Sequence, residues 1–206
     1  MSDEPAPPPE RPSRYTRSFS GLVVAMGVTV LAVVAYVGFR ALVRDQPDIR
    51  QEVDYASCVA LLEAADVTVV HPSSLPEGWR ATAVHYQPGA PPQWRLSLLT
   101  DGEEYVGIVQ QEQDVGDLLD VYVDKGARQG TDLAATNSLG VSSWQTWSDS
   151  GGDHAFSTKL SAGALSGQTL LVYGSAPVAD QERLLALLTL DPVSEASNDC
   201  NTDQLS

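Results

Sequence analysis

The residues best suited to chemistry are few and lie far apart in the sequence. The three histidines, His71, His85 and His154, lack the H-E-x-x-H spacing, or any similar spacing with carboxylates, that zinc sites need. Residues 163–167 (GALSG) do not match the G-x-S-x-G string that exposes a nucleophilic serine, and no glycine-rich phosphate-binding string occurs. The sequence therefore predicts a non-enzymatic protein with no catalytic residues, metal or cofactor. An enzyme without a recognisable signature is the alternative that remains.

Two groups of aspartates could supply oxygen ligands to a weakly bound calcium ion. The groups are Asp114, Asp117, Asp120 and Asp124 on a predicted helix, and Asp149 and Asp153 around a Gly-Gly turn. Neither group has the spacing of a known calcium loop, and a run of acids is usually typical of a solvated helix face. Solvated acidic surfaces are therefore the favoured interpretation.

Four tryptophans are candidates for a surface that binds a peptide, a glycan or a lipid. They are Trp79, Trp94, Trp144 and Trp147. Core packing is the alternative for at least two of them, because aromatic side chains dominate cores of this size. Trp144 and Trp147 are three positions apart on a predicted strand, so they point to opposite faces and one of them can be exposed.

Cys58 and Cys200 are the only cysteines of the chain. An even number of cysteines in an exported domain favours a disulfide, which here would pin the C-terminal tail onto the first helix of the domain. Two unrelated thiols are the alternative, since a bridge needs Cα atoms within about 7 Å and the sequence gives no distance.

Residues 18–39 form an uncharged run of 22 residues rich in Val, Leu and Ala. A helix of that length crosses the hydrocarbon layer of a bilayer, which is about 30 Å thick. A cleaved signal peptide is the alternative, but its apolar region spans only roughly 7 to 15 residues and ends at an A-x-A-like site. An uncleaved transmembrane helix in contact with the lipid bilayer is therefore predicted.

Charge is distributed unevenly along the chain, whose formal net charge is −15. Residues 51–206 carry six basic and 22 acidic residues, which argues against a nucleic-acid partner. Three arginines precede the predicted span and three follow it, so the count of positive charges on the two sides is tied. A short arginine-bearing tail resists translocation, whereas a long domain crosses regardless of its charge. We therefore expect a cytoplasmic N-terminus and an extracytoplasmic C-terminal domain.

Periodicity and turn residues predict helices and strands between residues 53 and 191. The helices are 54–65, 114–124 and 179–190, and the strands are 80–86, 94–99, 104–110, 141–147, 155–160 and 169–173. Asp101-Gly102 is the strongest hairpin signal and predicts a meander of the first three strands. The predicted fold class is α+β, with an N-terminal transmembrane helix followed by one domain whose mostly antiparallel sheet is packed by helices on one face.

These elements define the expected organisation of the whole chain. It is a disordered cytoplasmic tail at 1–17, the transmembrane helix at 18–39, a juxtamembrane linker at 40–52, the extracytoplasmic α+β domain at 53–191 and an acidic tail at 192–206.

A series of residues follows the span in a characteristic order. It comprises Val53-Asp54-Tyr55, Pro72, residues 75–81 (LPEGWRA), Trp94, Leu99-Thr100, Gly102, Tyr105, Gly140 and Trp144. This series resembles that of an actinobacterial single-span membrane family of unknown function, DUF4245, from the span to about Leu190. The resemblance implies an envelope-anchored domain and carries no catalytic residues, and the two cysteines are not part of its pattern. The Leu-Pro-x-Gly-aromatic turn also resembles that of other extracytoplasmic α+β modules.

The expected function is that of a single-pass, membrane-anchored binding module of the cell envelope, whose partner is an envelope protein or a wall component. The alternative is a carrier or sensor of a small apolar ligand held in a cavity between the sheet and the helices. The two hypotheses differ because a carrier needs a contiguous apolar cavity of about several hundred Å³.

Overall fold

The computed structural model divides the chain into two units, residues 1–49 and 50–206. In the second unit it describes residues 52–135, 137–161 and 163–193, and Cys200. In the first unit it describes seven positions, all of them helical: Val23, Val24, Met26, Gly27, Thr29, Val30 and Val33.

The predicted transmembrane helix at 18–39 contains those seven positions, and its remaining residues lie outside the described part of the chain. The predicted tail at 1–17 also lies outside it, as do most of the linker at 40–52 and of the acidic tail at 192–206. Among the described residues, none of the helices has both the length and the apolar character needed to cross a membrane.

Three helices are described in the second unit, close to the predicted positions. They are α1 (Tyr55–Ala64), α2 (Val115–Tyr122) and α3 (Val178–Leu187), and a 3-10 turn spans Gly163–Leu165. Helix α1 begins after Asp54, whose side chain accepts a hydrogen bond from the Ser57 backbone N–H at 3.2 Å. This contact satisfies one of the N–H groups that the first turn of a helix leaves unpaired.

Ten strands are described, and every pair is antiparallel. They are β1 (His71–Pro72), β2 (Arg80–Gln87), β3 (Gln93–Leu99), β4 (Tyr105–Gln111), β5 (Arg128–Gln129), β6 (Leu133–Ala134), β7 (Ser143–Ser148), β8 (His154–Lys159), β9 (Thr169–Gly174) and β10 (Leu188–Thr189). The main sheet has the order β2-β3-β4-β9-β8-β7-β5, with β6 paired to β7, and β1 pairs with β10 separately. The prediction of an α+β domain with a mostly antiparallel sheet is therefore confirmed.

The hairpin between β3 and β4 turns at Asp101-Gly102, as predicted, and Thr100 N–H donates to the Glu104 carbonyl at 2.9 Å. The Leu-Pro-Glu-Gly-Trp turn lies against this hairpin. A Cβ atom on Gly78 would come within 2.7 Å of the Asp101 Cβ, and Gly78 has a φ of +79°. Only glycine meets both conditions without strain, which explains its place in the turn.

We call the side of the sheet that carries α1 and α3 the front face. Alternate strand residues such as Leu96, Ile108 and Val172 point to it and form one core with Val59 of α1 and Leu184 of α3. This is the larger of two apolar clusters in the described chain, and residues with essentially no solvent exposure fill it.

The opposite side is the back face, where Val109, Ala155 and Leu171 form a second cluster with Leu118 and Leu119 of α2. The prediction that all helices pack on one face is therefore wrong. Helix α2 directly follows β4, and the back-face residues of three adjacent strands give it an apolar surface to cover.

Candidate functional site

The four tryptophans do not form a common surface. Trp79, Trp94 and Trp144 are 6%, 1% and 0% exposed and pack in the front-face core. The expectation of core packing is therefore confirmed for these three, and the candidate binding surface is wrong for them. The Trp94 indole N–H donates to the Val70 carbonyl at 2.9 Å. Trp147 lies on the back face, as its spacing from Trp144 predicts, and is only partly buried.

Cys58 and Cys200 form a disulfide, as predicted, with Cα atoms 5.0 Å apart. Cys58 is fully buried in α1 and Cys200 packs against the front-face core. The bond therefore fixes residue 200 to the first helix across a sequence separation of 142 residues.

A cavity of about 350 Å³ lies beside this helix and contains Tyr55 and His71. Both side chains are engaged by backbone groups. The Tyr55 hydroxyl donates to the Pro72 carbonyl at 3.1 Å, and the two His71 ring nitrogens lie 3.1 Å from the Pro72 carbonyl and 3.2 Å from that of Asp191. Burial, and then the neighbouring Asp54, raise the pKa of Tyr55. These contacts connect α1, β1 and the chain after β10, so the polar side chains of this cavity have a structural role.

A second cavity, of about 310 Å³, lies on the front face between strands β6 to β8 and helix α3. We call it the α3 groove. Its apolar lining comes from Leu133, Phe156 and Val178, and its polar lining includes Asp132, His154 and Glu182. Phe156 is a buried strand residue, whereas Val178 is 36% exposed at the start of α3. The groove therefore has apolar walls at Leu133 and Val178 that solvent reaches, above Phe156, which is only 2% exposed.

One wall of the α3 groove is formed by residues 130–133, where the strand pairing is irregular. Strands β5 and β6 both pair with β7, and the three residues 130–132 between them lie opposite only Gln145 and Thr146. One residue is therefore extra, which is the definition of a β-bulge. Gly130 N–H donates to the Thr146 carbonyl at 2.9 Å, and a Cβ on Gly130 would come within 2.6 Å of Thr146 Oγ1.

The Thr146 hydroxyl also donates to the Thr131 carbonyl at 2.9 Å, so both ends of the bulge are held to β7. Such bulges redirect side chains at sheet edges.

The other wall is the first turn of α3. Val178 and Glu182 are four residues apart, so they lie next to each other on the helix surface. Gln181, fully buried, anchors this turn by donating to the carbonyls of Gly174 and Ala176 at 3.1 and 3.0 Å. The groove is thus bounded by two elements whose backbones are fixed to the sheet.

The charges around the α3 groove have one sign. Asp132 and Glu182 are exposed at its rim, and none of its lining residues is Lys or Arg. Of the four predicted tryptophans the lining includes only Trp147, whose side chain packs against the back-face cluster. The arrangement can hold an apolar side chain between Leu133 and Val178 while the two carboxylates attract a cationic group beside it. Within the described residues, no group of three or more His, Cys, Asp or Glu side chains is placed to hold a metal ion.

Sequence reasoning did not find this groove. Phe156 is an ordinary apolar residue of a short strand, and the bulge lies between two strands of only two residues each. A period cannot be detected in so short a segment.

The chain is similar to two solved structures, the complex of MucA and MucB from Pseudomonas aeruginosa and MucB in complex with MucA(peri). In each the identity is 18% and the TM-score 0.36, over 61% of this chain. The match covers 36% and 38% of those chains, so this chain spans less than two fifths of their length. No curated protein matches the sequence. A family model matches residues 14–188, and the chain therefore belongs to the family described as protein of unknown function (DUF4245).

Proposed function

We propose that this protein is a membrane-anchored, extracytoplasmic binding module without enzymatic activity, and that the α3 groove holds a basic and apolar segment of another envelope protein. The observation that carries the proposal is the groove itself, which combines accessible apolar walls at Leu133 and Val178 with two rim carboxylates. A single apolar side chain seated in a pocket is the usual energetic centre of a protein interface.

The negative charge of the domain indicates that the bound segment is cationic. Residues 51–206 carry 22 acids and six bases, so the domain attracts cationic segments and repels acidic ones at long range. Asp132 and Glu182 then act locally, where a Lys or Arg next to the seated apolar residue would face them.

The placement in the envelope is supported by two observations. The described residues of the predicted span expose their apolar side chains: Val23, Val24, Met26, Val30 and Val33 are 54–68% exposed, which suits a lipid environment. The Cys58–Cys200 disulfide suits an oxidising compartment outside the cytoplasm.

Photo-crosslinking tests the groove. A photo-reactive amino acid in place of Val178 should cross-link a protein in membranes of cells that make this protein natively. The matched control is Val121, an exposed valine of α2 on the back face, where the same amino acid should give no such product. The product should disappear when Glu182→Lys is added, and its cross-linked peptide should contain a basic residue near an apolar one. Identical products from positions 178 and 121, or a product that survives Glu182→Lys, would contradict the proposal.

Cysteine labelling tests the orientation. In Ser206→Cys the new thiol should react with a membrane-impermeant maleimide in intact cells, while Cys58 and Cys200 stay unreactive because they are bonded. Labelling that requires lysis would place the domain in the cytoplasm and remove the envelope from the proposal.

A carrier or sensor of a small apolar ligand is the second candidate. It is favoured by the volume of the same groove, about 310 Å³, which lies at the lower end of ligand pockets. Native mass spectrometry of the full-length protein separates the two functions. A carrier should retain a bound lipid or other small molecule that is lost in Phe156→Asp, whereas a protein-binding module should carry none.

A further inference from the structure

A second cluster of polar side chains lies on the back face, away from the α3 groove. It comprises Arg95 and Ser97 of β3, Tyr105 of β4, Tyr173 of β9 and Tyr122 of α2, and we call it the tyrosine patch. Helix α2 covers the β4, β9 and β8 part of this face. No described helix covers the part formed by β2 and β3, so Arg95 and Ser97 stay partly exposed.

The rings of the patch are fixed by close packing. Tyr173 lies over the backbone of Gly107, where an added Cβ would come within 2.5 Å of its ring. Its ring centre is 5.7 Å from that of Tyr105 and 5.3 Å from that of Tyr122. The three hydroxyl groups are therefore held in place before any ligand arrives.

Some hydroxyl hydrogens of the patch are not used in its internal hydrogen bonds. Ser97, Tyr105 and Tyr173 are linked by two hydrogen bonds, of 3.3 and 3.1 Å, so three hydroxyl hydrogens serve two bonds. The Tyr122 hydroxyl accepts from the Gln93 side chain at 2.6 Å and keeps its own hydrogen. Each hydroxyl can donate one hydrogen and accept others, so two hydrogens of the patch remain available within the described chain.

Arg95 is the cation of the patch, and it has no partner among the described residues. Its Nε is shielded from solvent without a hydrogen bond, and no carboxylate of the described residues lies within ion-pair distance. Three of the other cations of this domain, Arg80, Lys159 and Arg183, each face an acid. A half-buried guanidinium without a counter-ion, in a domain with 22 acids, is a costly arrangement unless a ligand supplies the negative charge.

We propose that the tyrosine patch binds the carboxylate group of a small organic ligand, with Arg95 as its counter-ion and the hydroxyls of Tyr122 and Tyr173 as hydrogen-bond donors. This site is independent of the α3 groove, which lies on the other face of the sheet.

The single charge of the patch selects a carboxylate over a phosphate. One guanidinium neutralises one negative charge, and its planar fork matches the two oxygens of a carboxylate. A phosphate close to its dianionic form would keep an excess negative charge inside a domain that is already strongly acidic. Burial and the neighbouring Tyr105 raise the pKa of Tyr173, so its hydroxyl keeps its proton as a donor at neutral pH.

Nuclear magnetic resonance of the full-length protein in detergent micelles tests the site through the Arg95 Nε–H signal. N-acetyl-alanyl-alanine and glucuronate should each shift this signal in a saturable way, and whichever binds more tightly identifies a peptide or a sugar as the source of the carboxylate. The amide of the same dipeptide should not shift it. In Tyr173→Phe the affinity should fall roughly 10- to 100-fold, the usual effect of one hydrogen bond to a charged group.

Arg95→Gln should abolish the saturable shifts that the ligand causes in the backbone amide signals of the other patch residues. The matched control is Arg128→Gln, a change at an exposed arginine of β5, which should leave those shifts intact. Dispersed amide signals in the same spectra confirm that each variant is folded. An unshifted Arg95 signal with all carboxylates would overturn the proposal, and so would inorganic phosphate that binds as tightly as the dipeptide.

Discussion

The front and back faces of the sheet carry different kinds of side chain. The front face is filled by large apolar groups without exposure, among them Trp94, Trp144 and Leu184, and the disulfide closes it. The back face has a small apolar cluster under α2 and a patch of tyrosines beside it. The difference indicates a division of labour, because the front-face core supplies most of the burial that stabilises the domain while the back face keeps hydrogen-bonding groups within reach of solvent.

Removal of the disulfide should have the largest effect on this comparison. The double variant Cys58→Ala and Cys200→Ala should lose roughly 5 kcal/mol of unfolding free energy, as the chain-entropy model gives for a loop with a sequence separation of 142 residues. Urea unfolding of the variant beside the wild type measures the loss. A loss below about 1 kcal/mol would show that the tail adds nothing to the front face.

A matched pair of leucines compares the two faces directly. Leu184→Ala on the front face should cost about 4 kcal/mol, and Leu119→Ala under α2 about 2 kcal/mol, because a smaller cluster at the surface collapses more easily around the missing atoms. Chemical denaturation of both variants gives the two values. Equal losses of unfolding free energy in the two variants would contradict the difference between the faces, since α2 would then be packed as firmly as α3.

Two tyrosines with raised pKa values, one on each face, compare the faces at alkaline pH. The folded chain holds Tyr173 and Tyr55 neutral chiefly by burial, whereas the unfolded chain lets them ionise near the ordinary tyrosine pKa of about 10. Stability is therefore fully present below about pH 10 and falls as the pH rises above it.

Tyr173→Phe should reduce this alkaline fall more than Tyr55→Phe, because the pKa of Tyr173 is raised further. Each variant should also lose about 1 kcal/mol at neutral pH with its hydroxyl hydrogen bond. Urea midpoints at neutral and alkaline pH supply the data, and an unchanged alkaline slope in Tyr173→Phe would contradict the expectation.

The smallest effect concerns the helix caps. Asp54→Ala at the start of α1 should cost about 1 kcal/mol, because its carboxylate accepts from both the backbone and the hydroxyl of Ser57. Asp114→Ala at the start of α2 should cost less than about 0.5 kcal/mol, since that side chain makes no capping bond and has only an exposed contact with Lys159. Thermal unfolding resolves the difference, and reversal of the order would show that α2 depends more on its cap than α1.

Local features of this fold could be predicted from the sequence, and relations between distant strands could not. The Asp101-Gly102 turn and the start of α1 at Asp54 each involve residues within a few positions of one another. Their physical causes are equally local, so the predicted elements fall near the observed ones.

The placement of α2 on the back face depends instead on β4, β9 and β8 lying side by side, which the chain reaches only through a long connection. The burial of Trp79 and Trp144 depends on the same strand order. Composition made these tryptophans candidates for a surface, but only the assembled front-face core shows that they are buried. The α3 groove and the tyrosine patch are likewise products of neighbours across the sheet.

The disulfide also changes how the chain responds to proteases. Every peptide bond between Cys58 and Cys200 lies inside a covalent ring, which includes nearly all of the described domain. A single cut in an exposed loop such as residues 149–153 opens the ring without separating the two pieces. A domain nicked once in this way would keep both pieces, and they could separate only after the sulfur bond is reduced and the sheet between them unfolds.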